Sequence, residues 1–164
     1  MLAVYTQYDS KWEAARGGML AYLARYDEKG GLELLKQRFK PGAGHQLHET
    51  SSLCQSFYSP AVNRFFEDNL QREDDNEAVS WSAYQLSEHG TVQDQSLIRA
   101  RLDRWRERSP SQGKRLDPEQ GRLEGDLVLA LIDAKAWRIE EAEANRLKES
   151  CVTEECRDRV TRPR

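Results

Sequence analysis

Apolar residues recur at intervals of three and four along most of this 164-residue chain, and no stretch alternates apolar with polar side chains. That period belongs to α-helices with one buried face, so the sequence commits to an all-α fold. The first stripe is Trp12, Ala15, Met19, Tyr22, Leu23 and Tyr26, where Ala15 and Gly18 leave room for a close neighbour. After the breaker DEKGG, Leu32, Leu35 and Phe39 repeat the spacing to Lys40, and KPGAG ends it. HQLHETSSLCQSFYS is weakly patterned and predicts a loop with at most a short helix. Ser59 and Pro60 suit the cap and first position of a helix carrying Val62, Phe65, Phe66 and Leu70. Val79, Ala83 and Leu86 line the next helix, for which Gly90 predicts a left-handed stop. Thr91 or Asp94 then caps a helix with Leu97, Ile98, Leu102 and Trp105 on its inner side.

Charge narrows the class. The 25 basic and 28 acidic residues are interspersed and sum to −3, so no overall field draws the protein to nucleic acid or to an anionic membrane. No apolar run approaches the roughly 20 residues that a membrane helix needs. The opening MLAVYTQYDSKWEAARGG has no secretory pattern, which points to a cytoplasmic protein unless the chain is a trimmed piece. Three cysteines, Cys54, Cys151 and Cys156, do not make a disulfide framework.

Residues 109 to 121, SPSQGKRLDPEQG, gather proline, glycine and polar residues and read as a linker. Residues 122 to 164 follow, with Leu123, Leu127, Ala130, Leu131 and Ala134 at helical spacing, then Ile139, Ala142, Leu147 and Cys151. Before the linker, ARGGMLAYLARYDEKGGLELLKQRF and AVSWSAYQLSEHGTVQDQSLIRARLDRW share a plan. Each is a helix with small residues at its middle, a glycine-containing turn, and a second helix ending in an aromatic. The chain here resembles the HEAT-repeat family of α-solenoids. The carrying residues are Ala83, Leu86, Gly90, Leu97, Leu102 and Trp105 in the better copy, and Leu20, Leu23, Leu34, Leu35 and Phe39 in the poorer. The aspartate and arginine that many such repeats carry have no clear counterpart here. The resemblance covers residues 10 to 108 and implies HEAT-like helical pairs over 1 to 108, stacked right-handedly and closed by a helical cap over 122 to 164. It implies a scaffold that binds another protein, or further repeats of a longer chain, without catalysis or cofactor. Because a solenoid needs about three repeats, the chain also reads as the end of a longer array.

The partner-binding candidates are aromatic and basic. Trp81 and Tyr84 lie three residues apart, off the Val79, Ala83, Leu86 face, and form a second apolar strip that calls for a partner, another repeat or a neighbouring helix of the chain itself. Arg101, Arg104 and Arg108, with Arg99 and Arg106, give the helix RARLDRWRER an excess of positive charge. That excess supports the alternative of a HEAT-like DNA-binding or repair module, although the acidic QREDDNE just upstream disfavours it. Loop residues His45, His48 and Cys54 offer zinc-type ligands at a spacing that matches no metal motif, so no metal site is assigned. Cys151 and Cys156, five apart in CVTEEC, are either reduced thiols within the cap or a disulfide closing a small ring. His89 stands before Gly90, where a cation at a helix C-terminus is mildly favoured, and no catalytic motif accompanies it.

Overall fold

A computed structural model describes residues 13–38, 47–72, 74–108 and 118–161, and these form nine helices with no strand among the described residues. They are α1 (Glu13–Tyr26), α2 (Glu28–Arg38), α3 (Leu47–Ser56), α4 (Pro60–Leu70), α5 (Asn76–His89), α6 (Val92–Arg108), α7 (Pro118–Ile132), α8 (Glu141–Glu149) and α9 (Glu154–Thr161). None of them is long and apolar enough to cross a membrane. The chain divides into two compact units, residues 1–65 and 66–164. This division falls inside the 1 to 108 segment read as one array, and the expected cap belongs to the same unit as α5 and α6. Of the expected linker, 109–117 lies outside the described residues and Pro118 already begins α7.

In the first unit α1 packs on α2 and α3 and buries Leu20, Ala21 and Ala24 with Leu34, Leu35 and Leu53. DEKGG is not a breaker: only Asp27 separates the helices, and Glu28 to Gly31 are helical. Asp27 Oδ1 accepts the Gly30 N–H at 3.1 Å, in the manner of a helix cap. Gly31 is required by proximity, since a Cβ there would stand 2.6 Å from the Ala24 Cα. HQLHETSSLCQSFYS, read as a loop with at most a short helix, carries a ten-residue helix over Leu47–Ser56. Its buried residues, Thr50, Leu53 and Cys54, follow a helical interval, but two of the three are not strongly apolar. Ser59 caps α4 as its sequence predicts, its Oγ accepting the Val62 N–H at 3.2 Å, and its own hydroxyl donates to Glu28.

The second unit is organised around α7, which packs against α5, α6, α8 and α9. Helices α5 and α6, partners in the repeat plan, pack more extensively on α7 than on each other. Val79, Ala83 and Leu86 from α5, Ile98, Leu102 and Trp105 from α6, and Leu123, Leu127, Val128 and Leu131 from α7 are buried. Asp75 starts α5 by accepting the Ala78 N–H at 2.9 Å. Gly90 ends it at φ −76°, outside the left-handed region expected from the sequence. The glycine serves close approach instead: a Cβ at 90 would lie 2.6 Å from both the Leu86 carbonyl oxygen and Asp94 Oδ2. That Asp94 oxygen accepts from the Thr91 N–H and hydroxyl, so both residues proposed as caps take part in starting α6.

Helix α9 is eight residues long and buries only Cys156 and Val160. It lies close across α7 because Gly121 and Gly125 leave space there. A Cβ on Gly125 would stand 2.9 Å from Arg159 Cδ and 3.4 Å from Cys156 Cα, and one on Gly121 would stand 2.9 Å from Glu155 Cβ. Arg159 also donates to Asp126 on α7 at 2.6 Å.

Candidate functional site

Trp81 and Tyr84 stand three residues apart on α5, on the side turned from its Val79, Ala83, Leu86 face. Their rings meet edge to face, with centroids 5.5 Å apart and planes at 87°. Trp81 is half-buried and Tyr84 is 42% exposed, so the pair forms an apolar strip with one wet edge. Its lower end is built by the segment that follows α7. The N–H groups of Lys135 and Ala136 both donate to the Ser87 carbonyl at 2.9 Å, and Lys135 Nζ reaches Glu88 at 2.5 Å. The Glu88 hydrogen bond holds the Lys135 ammonium pKa above its ordinary value, and Tyr84 lies within its electrostatic reach. An aromatic pair with a charged rim beside it thus stands on one helix.

His89 lies beside this rim, and burial pushes its pKa below the usual 6.5; Glu88 opposes the shift and Lys135 adds to it. Below pH 6.5 the unfolded chain therefore binds a proton that the folded chain resists, so this group makes stability fall as pH drops through that value. Urea midpoints of wild type and His89→Gln at pH 5 and 7.5 should show the wild type losing more on acidification. Equal losses would count against the assignment.

Four of the five arginines of α6 are turned onto other segments of the protein. Arg101 is buried, 5% exposed, and donates to the Arg72 carbonyl at 3.3 Å. It is therefore removed from the partner-binding residues read from the sequence: it lies in register with Ile98 and Trp105 on the buried face, where a guanidinium needs an internal acceptor. Arg104 bonds Gln71 at 3.0 Å, Arg99 pairs with Glu143, and Arg106 donates to Glu124 at 3.0 Å. Arg108 is exposed. Helices α6 and α8 enclose a groove of about 330 Å³ whose lining includes Arg99, Asp103, Arg106, Glu143 and Arg146. With Glu124 behind Arg106, three guanidiniums there meet three carboxylates, so the groove has no excess charge for an anion.

Of the metal-type candidates, His45 and the side chain of His48 lie outside the described residues. Cys54 is buried on α3, not in a loop, and burial pushes its thiol pKa up, away from the thiolate that a metal requires. Cys151 and Cys156 are joined in a disulfide at the α8–α9 junction.

Glu124 is a residue whose role the sequence reading missed. It is wholly buried on α7, and its carboxylate lies with the two sulfurs in a group whose ligand atoms are within 4.8 Å of one another. Its oxygens are already filled. Oε1 accepts from Arg106 Nε and, at 2.9 Å, from the Val152 N–H; Oε2 accepts from the Thr153 N–H at 3.0 Å and its hydroxyl at 2.8 Å. Four donors occupy about the four lone-pair positions of a carboxylate, so the trio holds a loop and offers no metal centre. Thr153 in turn caps α9, its Oγ1 accepting the Cys156 N–H at 3.1 Å. The signal for Glu124 was its position: an acid at the helical interval from Leu127 and Leu131 falls on the buried stripe.

These features define an all-α protein with a half-exposed aromatic strip on one helix and an anchored disulfide on another. No family model, curated protein or solved structure matches the chain.

Proposed function

We propose that this chain is a non-catalytic protein-binding or scaffold module built from HEAT-like helical pairs. It takes another protein, or further repeats of a longer chain, on the α5 strip. The observation that carries the reading is the Trp81–Tyr84 pair, meeting edge to face yet left partly in water. Aromatic residues of this kind carry a large share of binding energy in protein interfaces, because they bury much area at little cost in conformational entropy. The helix–turn–helix of α5 and α6, with Ala83, Leu86, Ile98 and Leu102 buried, supports the repeat-like part of the reading. The DNA-binding alternative is weakened, since Arg99, Arg101, Arg104 and Arg106 already serve acceptors within the protein. The Cys151–Cys156 bond weighs against the cytoplasmic location expected from the sequence, because reducing compartments keep thiols reduced.

A photo-crosslinking residue placed at 84 in the producing cell tests the reading, with Val92, 65% exposed on α6, as the control position. Position 84 should give a discrete protein adduct that position 92 does not. Equal labelling at the two would end the proposal. With the adduct identified, Trp81→Ala should weaken its binding about tenfold or more, while the unfolding midpoint of the free protein moves little.

A further inference from the structure

Helix α9 is too short to persist alone, and one buried valine beside a half-cystine does not offset the ordering of eight residues. Its attachment to α7 rests on the Cys151–Cys156 disulfide, the Glu124 hold on Val152 and Thr153, the glycine seat at Gly121 and Gly125, and the Arg159–Asp126 pair. Within this set the disulfide alone responds to redox chemistry.

We propose that Cys151–Cys156 is a redox clasp: reduction by a dithiol releases α9 from its seat on α7 while α5, α6 and α7 stay folded. None of the residues of the proposed binding strip takes part, so the inference stands apart from that reading. Cys151 is the less buried of the two residues, 5% exposed against 0%, and its sulfur receives the attacking thiolate. The S–S bond breaks, Cys156 leaves with the electron pair and takes up a proton, and a mixed disulfide joins Cys151 to the reductant. The reductant's second thiol, as thiolate, then displaces Cys151, which also takes up a proton. Two electrons and two protons pass to the protein, and the reductant ends as its own disulfide.

The Glu124 carboxylate lies beside both sulfurs, its oxygens occupied by Arg106, Val152 and Thr153. Two separate thiols need more room than one disulfide, and Cys156 is wholly buried in its seat on α7, so the short helix gives way. Reduction thereby uncovers the glycine-lined face of α7.

Amide hydrogen exchange on the full chain, with and without dithiothreitol in the absence of denaturant, tests the clasp. Peptides covering 150–161 should exchange at least tenfold faster after reduction, while peptides in α5, α6 and α7 keep their protection. The double variant Cys151→Ser with Cys156→Ser should show the fast pattern without reductant and no further response to it. Cys54→Ser should respond like wild type. Unchanged protection at 150–161 after verified reduction would overturn the proposal, and so would loss of protection throughout residues 66–164. Uptake of one zinc ion by the reduced protein with 150–161 still protected would also overturn it, because the thiols would then be a metal site.

Discussion

Replacing Glu124 with glutamine should cost about 3 kcal/mol of unfolding free energy, read from urea titration followed by circular dichroism. The side chain keeps its size, so the loss comes from chemistry. One acceptor oxygen becomes a donor and must face either Arg106 Nε with the Val152 N–H, or the Thr153 N–H with its hydroxyl. Whichever way the amide turns, donor meets donor, and Arg106 loses its counter-charge. Breaking a fully buried ion pair from one side costs about 3–5 kcal/mol. The Arg106 side chain keeps 18% of its exposure, which gives the stranded cation some hydration and sets the expectation at the lower end. Adding Arg106→Leu to Glu124→Leu should recover only part of the loss, because the Val152 and Thr153 N–H groups remain without acceptors. A loss under about 1 kcal/mol for the glutamine variant would show that the four bonds are not the anchor described above.

The second large effect is expected at Gly31, where the usual rule for helical glycine reverses. Alanine in a helix interior gains about 1 kcal/mol over glycine. At position 31 the new methyl would stand 2.6 Å from Ala24 Cα and 2.8 Å from Ala24 N, both backbone atoms of α1, so no rotamer change relieves the contact. Helix α2 must shift off α1 and loosen the burial of Leu34 and Leu35. Such overpacking costs about 1–3 kcal/mol even without a backbone clash, so Gly31→Ala should destabilise by about 2 kcal/mol net. Gly18 supplies the control in the same unit. It is helical and exposed, with nothing within 4 Å of its would-be Cβ, so Gly18→Ala should stabilise by up to about 1 kcal/mol. Equal signs for the two substitutions would refute the close approach of α2 to α1.

Periodicity made the helices legible but not always their buried face: on α1 the expected stripe includes Tyr22 and Tyr26, which are exposed, while Leu20, Ala21 and Ala24 are buried. The signal was weakest where the stripe was written in weakly apolar residues, as with Thr50 and Cys54 on α3. DEKGG misled because Gly31 is present for a tertiary reason, the backbone of Ala24 coming too close for any side chain there, while Gly30 lies against the Asp27 side chain that caps the helix. The aromatic strip could be read since Trp81 and Tyr84 fall off the buried face, and that placement is a matter of angle alone. The arginines of α6 look alike as letters, yet Arg101 shares a stripe with Asp94, Ile98 and Trp105, all buried. A charge on an apolar stripe predicts an internal partner, and Arg101 and Glu124 are both of that kind. What no spacing could supply was the partner's identity, a carbonyl at Arg72 in one case and a loop 28 residues downstream in the other.

The line between the two compact units falls between Phe65 and Phe66, in the middle of α4. For anyone dissecting the protein, a cut at that line is the least favourable choice. A fragment starting at 66 would lose the Ser59–Pro60 start of the helix and present the normally buried side chains of Phe66 and Leu70 on a frayed end. A fragment stopping at 65 would lose half the hydrogen-bonded turns that keep Val62 and Phe65 inside. Expression boundaries should therefore duplicate residues 60–70 in both pieces.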